Sequence, residues 1–335
     1  MKRMLPLVLA AAVAVSPNAA LGWGATGHRV VGQLAAQSLP GELPGFLRTK
    51  AGVEAIGELS REPDRSKGAG KIHDHDRDAA HFVDIHDDGT VLGGPPFLPL
   101  PQTRAEYETQ LAAHKLDTAK AGYLQFAMID RWQQLASDFA YWRVLTAAEN
   151  NPAWEERRAW FTADRQRREA QILATIGDLS HFVGDGAQPL HTSTHFNGWG
   201  DYPNPQGFTK ARIHSPFEGA MVRAAVDPAK VAAQMTPLRS CNCAVEQRVT
   251  DYLLASNRLV VPLYELEKAG GLAEDDPRGP AFATERLAAG ASELRDLIVE
   301  AWNASATRSV GWRPVAVQDV VSGKVDPYPS LYGID

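Results

Sequence analysis

The stretch GYLQFAMIDRWQQLASDFAYWRVL, residues 122–145, sets Leu124, Met128, Trp132, Leu135, Phe139 and Trp142 at intervals of three or four. Side chains at that spacing share one face of a helix, whereas a strand would need a period of two. Downstream, Ile172, Ile176, Leu179 and Val183 repeat the pattern, and further helices are predicted over 245–266 and 281–302, the last after the break Pro277-Arg278-Gly279-Pro280. Breakers fall between these runs, at Gly93-Gly94-Pro95-Pro96, Asn150-Asn151-Pro152 and from Gly198 to Pro205. Alternating apolar and polar residues are scarce, so the expected fold is all-α, one multi-helix domain with long irregular loops and at most a short hairpin around 83–92. There is no internal repeat and no linker that would divide residues 23–303, which are read as one unit. The remainder, 304–335, carries Pro314, Pro327 and Pro329 with little periodicity, and is expected to form an extended arm or a disordered tail.

At the other end, Lys2 and Arg3 precede an apolar run from Met4 to Val15 and a small-residue ending, Ala20-Leu21-Gly22. This is the layout of a secretory signal peptide, and the apolar run falls short of the roughly 20 residues a membrane span needs. Cleavage after Gly22 would leave 313 of the 335 residues, beginning at Trp23, as a product expected to be exported to a periplasm or the cell exterior and to be soluble. Hydrophobic residues make up 44%, enough for a sizeable core. The net charge of −6, or −8 without Lys2 and Arg3, offers no electrostatic footprint for long duplex nucleic acid. Only Cys241 and Cys243 are present, so disulfide scaffolding does not account for stability. Their spacing would strain any mutual disulfide, and no function is assigned to them.

The densest chemistry lies in His181-Phe182-Val183-Gly184-Asp185, followed by Gln188-Pro189-Leu190-His191. Residues four apart share a helix face, so His181 and Asp185 can grip one ion or two neighbouring ions. Gly186 and Pro189 end the helix and let the chain turn back, which can bring His191 to the same cleft. A second pair at that spacing, His214 and Glu218, would with His191 supply two imidazoles and a carboxylate, a set suited to zinc with one open position. Pro216 suits the first turn of a helix. Asp64 and His81 lie in separate segments, and either alone is more often a solvated side chain than a ligand. The run His73-Asp74-His75-Asp76-Arg77-Asp78 looks like a metal site by composition but is read as a solvated charge run. His86, His114 and His195 have no comparable context, and His28 sits just inside the first predicted helix.

Taken together from Trp23 to about Trp302, these residues resemble the zinc-dependent superfamily that joins fungal-type single-strand-specific nucleases to bacterial zinc-dependent phospholipase C. The resemblance implies an all-helical protein with three zinc ions in one cleft and a mature chain that starts at the tryptophan. By that resemblance Asp64, His81, His181 and Asp185 would hold the first ion, and the Trp23 amino nitrogen and carbonyl, His28 and the shared Asp185 the ion paired with it. His191, His214 and Glu218 would hold the third. A close zinc pair lowers the pKa of water to about neutrality for in-line attack on phosphorus, and Asp64 would orient that water and take its proton.

The short interval from Trp23 to His28, the Gln188-to-His191 ending and the long gap to His214 look like the nuclease branch. Phe82 and Asp84 match positions where those nucleases stack a base and hydrogen-bond its edge, although a similar pair occurs in the phospholipases. For Phe82 the plainer reading is core packing. Lys67 lies near a basic position that contacts phosphate in the nucleases; a solvated lysine reads equally well. Glu218 departs from the aspartate usual in the nuclease branch, and Pro205-Gln206-Gly207-Phe208 is similar to the phospholipase branch. The first expectation is therefore an endonuclease acting on single-stranded RNA or DNA, with 3′-nucleotides as further substrates and no stable protein partner implied. A phospholipase C and an exported zinc-binding protein without catalysis stand as the alternatives.

Overall fold

The computed structural model describes residues 23–333, so the expected leader, residues 1–22, lies outside the described part. The chain runs through α1 (Gly24–Gln37), α2 (Lys50–Leu59), the short α3 (Glu62–Arg65) and α4 (Lys71–Arg77), then α5 (Arg104–Ala113) and α6 (Thr118–Ala121). Two long helices follow, α7 (Leu124–Glu149) and α8 (Arg158–Ala187), and then α9 (Val222–Ala225) and α10 (Pro228–Gln234). The last helices of the main body are α11 (Val245–Asn257), α12 (Val260–Lys268) and α13 (Arg278–Ser305). The fold is all-α, as expected.

The periodic face of 122–145 does what its spacing predicts: Leu124, Met128, Leu135 and Phe139 are fully buried. Each such side chain contributes about 1.5–3 kcal/mol relative to exposure. Helix α7 turns at Asn151-Pro152 and α8 returns along it. The ion pairs Arg131–Asp178 (3.6 Å), Asp138–Arg168 (2.7 Å) and Glu149–Arg165 (2.9 Å) show the antiparallel register, residue numbers rising on α7 as they fall on α8. Helix α13 packs on α7, α8 and α1, while α2 touches both α1 and α8. The C-terminal half of α8 is thereby enclosed, with every residue from Leu179 to Ala187 buried. A helix buried all round and still carrying His181 and Asp185 must satisfy those groups internally.

The region 83–92 folds back on itself as expected: Leu92 N–H donates to the Asp84 carbonyl (3.0 Å) and His86 N–H to the Thr90 carbonyl (2.7 Å), on either side of the antiparallel bridge of Ile85 with Val91. Two other expectations are corrected. The predicted helix over 245–266 is two helices, α11 and α12, broken at Arg258-Leu259, where Asn257 donates from Nδ2 to the Thr192 carbonyl (2.7 Å). The segment after 303 is folded. Its hairpin β1 (Ser309–Val310) and β2 (Val315–Ala316) pairs antiparallel, followed by α14 (Val317–Val321) and α15 (Tyr328–Tyr332). Val310, Val317 and Val320 bury against Ala140 and Val144 of α7, and Tyr328 and Leu331 cover Phe161 of α8, so apolar burial orders the tail despite its prolines.

Cys241 and Cys243 are joined in a disulfide, in a segment strapped to α13 by Arg239 N–H on Asp296 (3.2 Å) and Cys241 N–H on Glu300 (3.0 Å). Among the described residues no helix is long and apolar enough to cross a membrane.

Candidate metal centre

Five separate pieces of chain deliver the polar side chains that the enclosed end of α8 requires. Helix α1 brings His28 and α3 brings Asp64. His81 ends a 3-10 turn, Asp78–His81, and His191 lies in another, Pro189–Thr192, immediately after α8. His214 precedes a π-helical turn, Pro216–Met221, that carries Glu218. Three groups result: His28, His181 and Asp185; Asp64, His81 and His181; and His191, His214 and Glu218. Within each, one ligand atom per residue lies within 4.8 Å of the others, a spacing compatible with three metal ions.

Asp185 is the centre of the first two groups. Its Oδ2 stands 3.0 Å from His81 Nδ1 and 3.2 Å from His181 Nε2, and its Oδ1 stands 3.6 Å from His28 Nε2 and 3.7 Å from His191 Nδ1. Asp64 approaches from the other side, with Oδ1 at 3.8 Å from His81 and 3.9 Å from His181. In the third group Glu218 Oε2 is 2.7 Å from His214 Nε2 and 3.5 Å from His191 Nε2.

Backbone carbonyls decide which imidazole nitrogen faces inward. His181 Nδ1 donates to the Ser60 carbonyl (2.8 Å), His191 Nδ1 to the His81 carbonyl (2.6 Å) and His214 Nδ1 to the Phe196 carbonyl (2.8 Å). A carbonyl only accepts, so each Nδ1 carries a hydrogen and each ring turns its Nε2 toward the carboxylates. An Nε2 and a carboxylate oxygen at 2.7–3.9 Å attract only when a proton or a metal cation lies between them. The buried polar atoms left without a hydrogen-bond partner match this reading: both ring nitrogens of His28, Asp185 Oδ1, Nε2 of His191 and His214, and Glu218 Oε1. Native interiors rarely leave such atoms unpaired, and here six of them gather around one cleft. The donor set therefore fits bound metal.

Burial and neighbours set the ionisation of these groups. Burial, helped by His181, pushes His28 down to about 3, and burial likewise takes His81 down to about 4, so both rings stay in the neutral form a metal requires. At His191 burial opposes charge, but the Asp185 and Glu218 carboxylates overcome it and raise the ring to about 9. Asp185 resists its own burial through His181 and His191 and stays well below the usual carboxylate range.

The other residues singled out in the sequence lie around this cleft. Lys67 Nζ is 2.7 Å from Asp64 Oδ1. Phe82 is half-buried beside Gly122, where a Cβ would stand 2.0 Å from the Phe82 carbonyl oxygen and 2.7 Å from its ring. Asp84 is buried with Oδ1 unpartnered, and burial raises its carboxyl well above the ordinary value. The segment carrying them is clasped to the third group, since Val83 N–H donates to the His191 carbonyl (2.9 Å). Trp23 is buried against Phe217, and its carbonyl takes the first hydrogen bond of α1 from Gly27 (3.2 Å). The run His73–Asp78 forms most of α4 and contributes to none of the three groups. His195 is buried in its own network, with Nδ1 on the Trp199 carbonyl (2.9 Å) and Nε2 on Asp87 (3.1 Å). Sequence reasoning missed Ser60 and Phe196, which act through carbonyls that every residue possesses and so leave no signal. It also missed the sharing of His181 between two groups.

A groove of about 950 Å³ opens beside His81 and Ser66 and runs between α4, the start of α7 and the middle of α8. Comparison with known protein families and with curated proteins gives no match to this chain.

Proposed function

We propose that the chain is an exported zinc-dependent phosphodiesterase whose first substrate class is single-stranded RNA or DNA. One observation carries the reading: six buried side-chain atoms on four chain segments gather around a single cleft with no hydrogen-bond partner, among three groups of His, Asp and Glu spaced to hold metal. The resemblance to the nuclease and phospholipase C superfamily supports zinc as the metal and phosphate esters as the substrate. Zinc at such groups supplies Lewis acidity and activates water at neutral pH.

In this reading Asp185 and His181 serve two neighbouring ions, Asp64 and His81 complete one of them, and His28 with the free amine of Trp23 completes the other. His191, His214 and Glu218 hold the third. Asp64 Oδ1, ion-paired with Lys67 at 2.7 Å, would orient the attacking water and take its proton, and Lys67 would offer its charge to a phosphate oxygen. The half-exposed ring of Phe82 stacks a base. Asp84, buried with Oδ1 unpartnered and its carboxyl raised by burial, would hydrogen-bond the base edge.

A second reading, a phospholipase C, is favoured by the groove beside His81. Its lining carries Glu62, Asp76, Asp130, Asp178 and Glu246 against Arg77, Arg104 and Arg131, an unfavourable track for a long polyanion. The deciding experiment measures zinc content and turnover of single-stranded nucleic acid and of phosphatidylcholine by protein that begins at Trp23. Turnover of lipid alone sinks the nuclease reading, and full zinc content with no turnover of either substrate sinks the enzyme. The same protein with one alanine ahead of Trp23 should lose zinc affinity, because its terminal amine is displaced from the cleft. Unchanged zinc binding removes Trp23 from the ligand set.

A further inference from the structure

Gln188 is fully buried between the end of α8 and the third group. Its backbone N–H donates to the carbonyl of Asp185 (3.0 Å), which closes the end of α8. Its side-chain oxygen accepts from Leu190 N–H (2.8 Å), and its side-chain nitrogen lies 3.1 Å from Glu218 Oε2. An amide oxygen and nitrogen are ordinarily interchangeable by a flip. Here the Leu190 N–H needs an acceptor, which assigns the oxygen to that side and turns the NH2 group onto Glu218.

The terminal torsion of a glutamate is broad, so packing alone leaves the carboxylate plane loosely defined. Glu218 Oε2 faces both His191 and His214 while Oε1 has no partner at all. The Gln188 NH2 is the donor that selects which oxygen faces the imidazoles. We propose that Gln188 is a positioning residue for the third metal group: it holds Glu218 Oε2 between the two rings and ties that group to the helix end that carries Asp185. The inference rests on the metal-binding part of the proposed function and is independent of the substrate.

Gln188→Glu separates this role from simple turn capping, because glutamate keeps the acceptor for Leu190 and replaces the donor with a carboxylate facing Glu218. Chelator-stripped wild type and variant are titrated with Zn²⁺ against a chromophoric competitor, and the unfolding midpoint of each stripped protein is recorded. Loss of about 10–100-fold in affinity at one of three sites, the usual cost of removing a group that orients a metal ligand, is expected with the other two sites unchanged. Gln188→Met, which removes donor and acceptor together, should weaken the same site and also lower the midpoint. Three sites of wild-type affinity in both variants overturn the inference, as does failure of both to fold, which assigns Gln188 to the turn. A wild type that binds no Zn²⁺ overturns the proposed function as well.

Discussion

His191 and His28 sit in one cleft yet are driven in opposite directions, and the difference sets the pH response of the metal-free protein. His191, raised to about 9 by Asp185 and Glu218 against its burial, contributes stability that is complete below its unfolded value of 6.5. That contribution disappears as pH climbs from there through about 9. His28 and His81, lowered by burial to about 3 and about 4, contribute stability that is present above 6.5. In acid the unfolded chain takes protons these rings refuse, so that contribution falls away between 6.5 and about 4 to 3. Stripped of metal, the protein should therefore unfold at its highest temperature near pH 6.5 and lose ground on both sides. Thermal unfolding across pH 4–9 in chelator checks this, and His191→Ala should flatten the alkaline side alone. A stability that keeps rising to pH 9 in wild type contradicts a carboxylate-flanked imidazolium at 191.

Helices α1 and α8 approach closely because α8 has glycine where they cross. A Cβ on Gly184 would stand 2.9 Å from His28 Nδ1, so Gly184→Ala should displace that ring from Asp185, at a cost of about 1–3 kcal/mol typical of overpacking. Unfolding and zinc titration together test this: the His28 group should weaken while the His191–His214–Glu218 group keeps its affinity, and equal weakening of all groups points to general unfolding instead. What the sequence disclosed follows the same division between near and far. Long periodic runs such as 122–145 and the i, i+4 pairs His181/Asp185 and His214/Glu218 are local, and helix geometry brings each pair together with no help from the rest of the chain. Asp64 and His81 are the opposite case. They meet α8 only through tertiary packing, and the residues themselves carried no sign of it beyond their company. The tail was misread because Val310, Val317 and Val320 are too few and too irregularly spaced to announce a face, and their partners Ala140 and Val144 lie more than a hundred positions earlier. The break between α11 and α12 was equally hidden, since the Asn257 contact that accompanies it reaches to Thr192.

For the whole molecule, charge limits how a nucleic acid substrate can be held. The chain carries a net −6, and the groove next to His81 has five carboxylates in its lining. Its three arginines are largely committed: Arg131 pairs with Asp130 (2.7 Å), and Arg104 pairs with Glu108 (2.8 Å) while lying over the Tyr123 ring (3.7 Å). Arg77 alone of the three forms no ion pair among the described residues. Beyond the metal centre, then, a single strand finds about one or two cationic contacts, and each contact contributes about −0.7 to the slope of log affinity against log salt. The slope of log kcat/KM for an oligonucleotide should be near −1, against roughly −4 for a protein with a six-phosphate track. Short substrates should be favoured accordingly, with kcat/KM for a dinucleotide within about tenfold of that for a 20-mer, since the additional phosphates meet little positive charge. Both values are to be measured with zinc content verified at each salt concentration, so that metal loss is not taken for weakened binding. A slope as steep as −4 would mean that a basic track exists outside the groove, and the mixed-charge lining would then no longer favour the phospholipase reading over the nuclease.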